Sequence, residues 1–394
     1  MTRWGTRREP ADPTMALGRG RRGRRVRLEL RDAGGSEPRH GLLLGATGSG
    51  KTTSLLRLLD GHVAAGAGAL LIDLKGSEAV ADQLSRVAAA HGVPALRFSL
   101  DGGAHWDPLA HGSASELADK LFATQRFSEP HYAAMYRRYL QAVMRCLLAR
   151  PGDRTLAGAV ALLAPDRLLA AVRTLSSGGA RETLEPYVAE LTADQRRHLS
   201  GLADRLAVLL EAGPGRFLVP AAGRPALDLH AALSEGAVVW AGLDVARYPD
   251  LALLVGALLV GDVRAYCGAV EARRRPRRPV VVAIDEFAAL GADAVGGLFA
   301  MARSAGVSAL LASQELADLR RVAPWFADQV LGNLSWLLAG RQNVPASAEL
   351  LARVASDRAG GVLAPAELAT LGPGEAVLIE MHPPRALALR VTPL

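Results

Sequence analysis

The chain has 394 residues, half of them hydrophobic, and a formal net charge of +7. That length allows two or three domains with a large buried core, and the composition excludes a disordered chain. Its basic residues are three lysines and 43 arginines, a bias suited to bidentate phosphate contacts and a polyanionic partner, with genomic base composition as the competing source.

In chain order, residues 1–25 are rich in Arg, Gly and Pro and lack periodicity. They are expected to form a basic flexible arm, either a solvated tail or a nucleic-acid-binding one. Val26 to Leu30 alternates apolar and charged residues, as a strand does. Residues 41–56 read GLLLGATGSGKTTSLL. Here a short apolar run leads into Gly45, Ala46, Thr47, Gly48, Ser49, Gly50, Lys51 and Thr52, which fit G-x-x-x-x-G-K-[ST] at every fixed position; Thr53 and leucines at helical spacing follow. Glycines let backbone N–H groups turn toward phosphate oxygens, and a helix N-terminus adds partial positive charge. Gly45 through Thr53 are therefore the candidate nucleotide-binding residues. Lys51 is placed to reach the β- and γ-phosphates, and Thr52 to ligate Mg²⁺.

Gly68 to Leu74 is an apolar run of the kind buried on both faces in a parallel sheet, and Pro94 to Leu100 is a weaker strand. Helices at about 51–65 and 77–90 complete a βαβ alternation over residues 26–112. From 113 to 213 only helical segments are expected, near 129–149, 165–175 and 192–213. The last opens on a capping box of Thr192 and Gln195. Alternation resumes over 214–394, with strands at 237–243, 280–284, 307–312 and 335–340. Helices fall near 248–268, 291–304 and 345–355, and a hairpin is expected at 376–391.

The Val280 strand ends in two carboxylates, which gives Asp285 the role of Mg²⁺ ligand and Glu286 that of water-activating base. Gln314, at the end of the next strand, is either a reporter of the γ-phosphate or an ordinary helix N-terminal residue. Arg303 and Arg341 are candidates for stabilising transition-state charge across a subunit interface. Arg273 to Arg278 is either a solubilising loop or a DNA-backbone contact. Trp325, Phe326 and Trp336 are expected in the core. Cys146 and Cys267 lie in separate helical patterns with no ligand spacing and are expected as buried thiols. The longest apolar run, Leu251 to Gly261, is shorter than a bilayer span, so no direct membrane insertion is expected.

These stretches together resemble the type IV coupling proteins of conjugation (the TraG/TraD group), within the FtsK/HerA class of ring ATPases. GATGSGKTT is similar to their phosphate loop. Asp73-Leu74-Lys75-Gly76-Ser77 is similar to their D-P-K-G-E/S stretch, with Leu74 in place of proline. Trp106-Asp107-Pro108-Leu109, IDEFAAL at 284–290, Ala302 to Gly306 with Leu311 to Leu316, and Asn333 to Arg341 with Ala348 to Leu351 continue the likeness. The resemblance implies an α/β fold, a RecA-like P-loop NTPase core with a mostly parallel sheet and an inserted all-α domain. It further implies a Mg²⁺-dependent ATPase that moves DNA as a homohexamer, working with a relaxase or a secretion-system membrane partner. Lys51, Thr52, Asp285, Glu286 and Gln314 would occupy the nucleotide site. Most coupling proteins carry N-terminal transmembrane helices, and none is expected here. A cytoplasmic protein, peripheral at the inner membrane through a partner, is the expectation. A HerA-like DNA-processing ATPase and an ATP-gated protein-docking factor remain alternatives.

Overall fold

The computed structural model describes residues 13–20, 23–32, 35, 37–125, 130–273, 278–359 and 363–394. It divides into two compact units, Met1–Arg97 with Ala231–Gly242 and Val270–Leu394, and Phe98–His230 with Leu243–Ala269. The first unit is built on an 11-stranded sheet. Its strands are β1 (Thr14–Gly20), β2 (Arg25–Glu29), β3 (Gly41–Leu44), β4 (Gly68–Asp73), β5 (Ala95–Ser99), β6 (Val238–Gly242), β7 (Val280–Asp285), β8 (Val307–Ser313), β9 (Trp336–Ala339), β10 (Glu375–Met381) and β11 (Pro384–Val391). Their order across the sheet is β2-β1-β11-β10-β9-β3-β8-β7-β4-β6-β5. From β9 through β3, β8, β7 and β4 to β6 the pairing is parallel. From β2 to β9 it is antiparallel.

Every residue of β3, β4, β6, β7, β8 and β9 is buried. That is why they read as unbroken apolar runs: helices cover both faces of a parallel sheet. One face carries the Lys51–Ala64 and Glu78–Ala90 helices, whose Leu55, Leu56, Leu59, Leu84 and Val87 join a core with Trp240, Val281, Leu310 and Trp336. Gly41 stands opposite Trp336 in register, and a Cβ there would strike the indole ring. Gly41→Ala is accordingly expected to cost about 1–3 kcal/mol, the range for overpacking a filled core, read as a lower urea midpoint with unchanged slope.

The expected flexible arm at 1–25 is corrected over its described part, because Thr14–Gly20 is a strand paired with β2 and β11. Met15 and Leu17 are buried, and Met15 packs on Gly61 of the Lys51–Ala64 helix. Arginine and glycine between the apolar positions hide that alternation. Residues 1–12, Arg21 and Arg22 lie outside the described residues, as do Glu129 and most of the 273–278 cluster.

The second unit is helical, and the segment expected at 113–213 lies inside it together with 98–112, 214–230 and Leu243–Ala269. Among the described residues, 113–213 contains no strand. The Thr192/Gln195 capping box is formed, and Ser113 with Glu116 makes a second one. Lys120 and Asp262, each 2% exposed, form a buried ion pair at 2.6 Å. Asp262 also accepts from Trp106 Nε1 at 3.2 Å, and His230 Nε2 lies 3.2 Å from the oxygen that Lys120 holds. Asp262 belongs to the Pro249–Arg273 helix, which outruns the eleven-residue apolar stretch. By length and composition Pro249–Ala272 could cross a membrane, but most of its apolar window is buried inside the chain. Cys146 and Cys267 are free and buried. Trp336 and Phe326 are in the core as expected, whereas Trp325 is corrected: it caps the Phe326–Asn333 helix and is 53% exposed.

Candidate active site

Four parallel strands end along one edge of the sheet, and their last residues stand side by side. Leu44 pairs with Ser313, and Asp285 pairs with Ala312 and with Asp73. Parallel sheets bind ligands outside such carboxyl ends.

The turn after β3 is shaped by its glycines. Gly48 and Gly50 have φ of 77° and 94°, a region that side chains other than glycine rarely adopt. A Cβ on Gly45 would meet the Ser49 hydroxyl, and one on Gly50 would lie 2.9 Å from Gly374 N. The loop is anchored by Gly45 N donating to Gln314 O at 3.1 Å and Ala46 N donating to Arg341 O at 2.9 Å. Arg341 Nη2 donates to Thr47 O at 3.0 Å, so this arginine holds the loop of its own chain. The Oγ atoms of Ser49 and Ser313 are buried with no hydrogen-bond partner. Lys51 opens the helix, Thr52 beside it is half-buried, and Thr53 is exposed.

Beyond the loop the polar side chains converge on one atom. Glu286 Oε1 accepts from Lys51 Nζ at 2.6 Å, from Lys75 Nζ at 2.9 Å and from Gln314 Nε2 at 3.3 Å. Asp285 lies 3.4 Å from Lys51 Nζ and 3.7 Å from Lys75 Nζ. Thr47 Oγ1 donates to Gln314 Oε1 at 3.5 Å. Burial pushes the Glu286 carboxyl up, but the hydrogen bonds and charges of Lys51 and Lys75 outweigh it and hold the group below its ordinary value. Glu286 has φ 57°, a left-handed conformation costing roughly 1–2 kcal/mol for a residue with a Cβ. Such strain persists where surrounding contacts over-determine it, commonly at functional sites.

Sequence reasoning quoted Asp73 and Lys75 only as part of a resemblance and gave neither a role. In the structure Asp73 shapes the turn that carries Lys75. One Asp73 oxygen accepts from Lys75 N at 3.0 Å; the other accepts from Ser77 N at 2.9 Å and Trp240 Nε1 at 3.2 Å. Burial, the largest influence, pushes the Asp73 carboxyl up, and the neighbouring Asp285 adds to it. The available signal was Lys75 itself, one of three lysines in an arginine-rich chain.

Arg303 is not brought to this cluster. It lies before β8, at the opposite end of that strand from Gln314, and donates to Asn333 O at 3.4 Å. Its charge adds to burial in lowering nearby His40 to about 4. Among the described residues no group of His, Cys, Asp and Glu forms a metal site by itself.

Residues 279–360 match the family described as the TraM recognition site of TraD and TraG, and residues 18–93 match the HerA-like helicase C-terminal family. A comparison with curated proteins returns no match. Among solved structures, the bacterial conjugative coupling protein TrwBdeltaN70, in its unbound form, is 17% identical with a TM-score of 0.68, over 98% of this chain and 89% of that one. TrwB in complex with a non-hydrolysable ATP analogue is 16% identical with a TM-score of 0.67, over 97% and 94%. VirB4 of Thermoanaerobacter pseudethanolicus is 16% identical with a TM-score of 0.64, over 96% of each chain. The chain is thus similar to TraG/TraD proteins over residues 279–360, and it has the RecA-like α/β fold of TrwB.

Proposed function

We propose that this chain is an ATP-hydrolysing motor of the coupling-protein type that moves DNA or a nucleoprotein substrate. The observation that carries the reading is the convergence of Lys51, Lys75 and Gln314 on Glu286 beside the glycine loop. TrwB has been solved with an ATP analogue and with ADP and Mg²⁺, which supports the same ligands here. The backbone of Gly45 to Gly50 takes the phosphates, Lys51 exchanges Glu286 for β- and γ-oxygens, and Thr53 lies at the rim. Thr52 and Asp285 would hold Mg²⁺, which would supply charge neutralisation to the phosphates. Glu286, released by Lys51, orients the attacking water and accepts its proton. Gln314, bonded to both Glu286 and Thr47, links the base to the loop. Arg341 braces that loop, and Arg303, remote within the chain, is a residue for a neighbouring subunit's site in a homohexamer.

The likeness of 279–360 to a TraM recognition site supports a relaxosome or secretion-system partner, with the chain working at the cytoplasmic face of the inner membrane through it. The HerA-like match at 18–93 supports DNA processing as the second reading. The test is phosphate release from Mg-ATP by the purified chain, with and without duplex DNA. Stimulation by DNA, lost as salt rises, is the expected result. Turnover indifferent to DNA at every salt concentration would remove the motor reading in favour of an ATP-gated docking factor.

A further inference from the structure

β1 carries an irregularity with a consequence for charge. Arg27 stands opposite Ala16, but Val26 stands opposite Gly18, so Leu17 is an extra residue on β1. Side chains alternate faces along a strand, and one inserted residue reverses that alternation. Without the bulge Arg19 would share a face with Met15 and Leu17, which are in the core. With it, Arg19 stands directly opposite Arg25 on β2 and Arg390 on β11. Three exposed arginines thus form one cross-strand row, about 10 Å long at the usual strand spacing. Arg24 and Arg27 are exposed beside it.

Like charges directly opposite one another destabilise a sheet. Among the described residues the compensation is partial: Arg390 pairs with Glu375 at 2.8 Å and donates to Pro373 O at 3.1 Å, and Arg19 donates to Gly23 O at 3.4 Å. We propose that the Arg25–Arg19–Arg390 row is a contact surface for the phosphate backbone of DNA. The inference rests on the DNA-moving reading above and gives it a location. Guanidinium groups match phosphate oxygens bidentately, and a row of them offsets its own repulsion by displacing counterions from a polyanion. Among the described residues, none of β1, β2 or β11 is an exposed large hydrophobic, so these strands do not offer the apolar anchors with which a protein lies on a membrane. Among the described residues, β1, β2 and β11 also carry no aromatic side chain as a platform for unstacked bases, so the contact is to the backbone and indifferent to sequence.

The test compares the full chain with R19Q/R25Q/R390Q and with R19K/R25K/R390K, by fluorescence anisotropy on a labelled duplex over a salt series. Loss of about one counterion contact per arginine should lower the slope of log K against log salt by about 2–3 in the glutamine variant. Its affinity at low salt should fall at least roughly tenfold, whereas the lysine variant should keep the slope. Removing like charges should leave the thermal midpoint unchanged or higher. If the triple glutamine variant does not fold, R25Q on the edge strand carries the test, with an expected slope change near 1. Unaltered duplex binding by a folded glutamine variant overturns the proposal and leaves the motor reading standing. A wild-type chain that binds no DNA overturns both. Lost binding to phosphatidylserine vesicles, or lost self-association, with duplex affinity intact overturns the proposal in favour of a membrane or subunit contact.

Discussion

Glu286→Gln is expected to abolish steady-state ATP hydrolysis while leaving nucleotide binding in place. The substitution keeps the size of the side chain and an oxygen able to accept from Lys51, Lys75 and Gln314, which meet at Oε1. What disappears is the negative charge and the proton-accepting capacity, and a positioned general base contributes roughly 10²–10⁴-fold to rate. The glycine loop is held by backbone bonds to Gln314 O and Arg341 O, and these do not involve the carboxylate. Loss should therefore fall on kcat, with the affinity for a fluorescent ATP analogue within about threefold of wild type. Turnover within threefold of wild type would remove Glu286 from the role assigned to it. Loss of analogue binding together with turnover would make it a structural counter-ion of Lys51 instead.

The second large effect is expected far from that site in the chain. Lys120→Met should destabilise the second unit by about 3–5 kcal/mol, the cost of leaving one partner of a buried ion pair uncompensated. Lys120 Nζ donates to Asp262 at 2.6 Å and to the carbonyls of His111 at 2.7 Å and Pro108 at 3.1 Å. Its removal strands a carboxylate that, among the described residues, keeps Trp106 and His230 as partners. Lys120→Met combined with Asp262→Leu should recover much of the loss, since an apolar pair of similar volume carries no desolvation cost. Urea unfolding of Lys120→Met, Asp262→Leu and the double variant decides it, and additive losses in the double variant would mean the two groups do not act as a pair. Burial pushes the Asp262 carboxyl up, but the His230 hydrogen bond and the Lys120 charge prevail and hold it below its ordinary value. With a folded value below the unfolded one, the contribution is full above the usual aspartate range and is lost as pH falls through the folded value. Wild-type stability should therefore fall more steeply with acid than that of the double variant.

Several features were decided by sequence alone because their physics is local. The glycine loop needs φ and backbone approach that only glycine supplies at Gly48 and Gly50, so it is legible wherever it occurs. Strands buried on both faces, such as Val280–Asp285 and Val307–Ser313, write themselves as unbroken apolar runs. The Thr192–Gln195 box announces its helix within four residues. β1 escaped notice because its signal is alternation interrupted by a bulge, which depends on the partner strand's register. Lys75 reaches Glu286 only because β4 and β7 are neighbours, and strand order is fixed by packing of the whole sheet. Lys120 and Asp262 meet across 142 positions, a distance over which periodicity carries no information. Chemistry confined to one turn or one strand was therefore settled by residue type and spacing. Whatever required two strands to lie side by side, or two distant side chains to share a dry interior, was settled only by the tertiary structure.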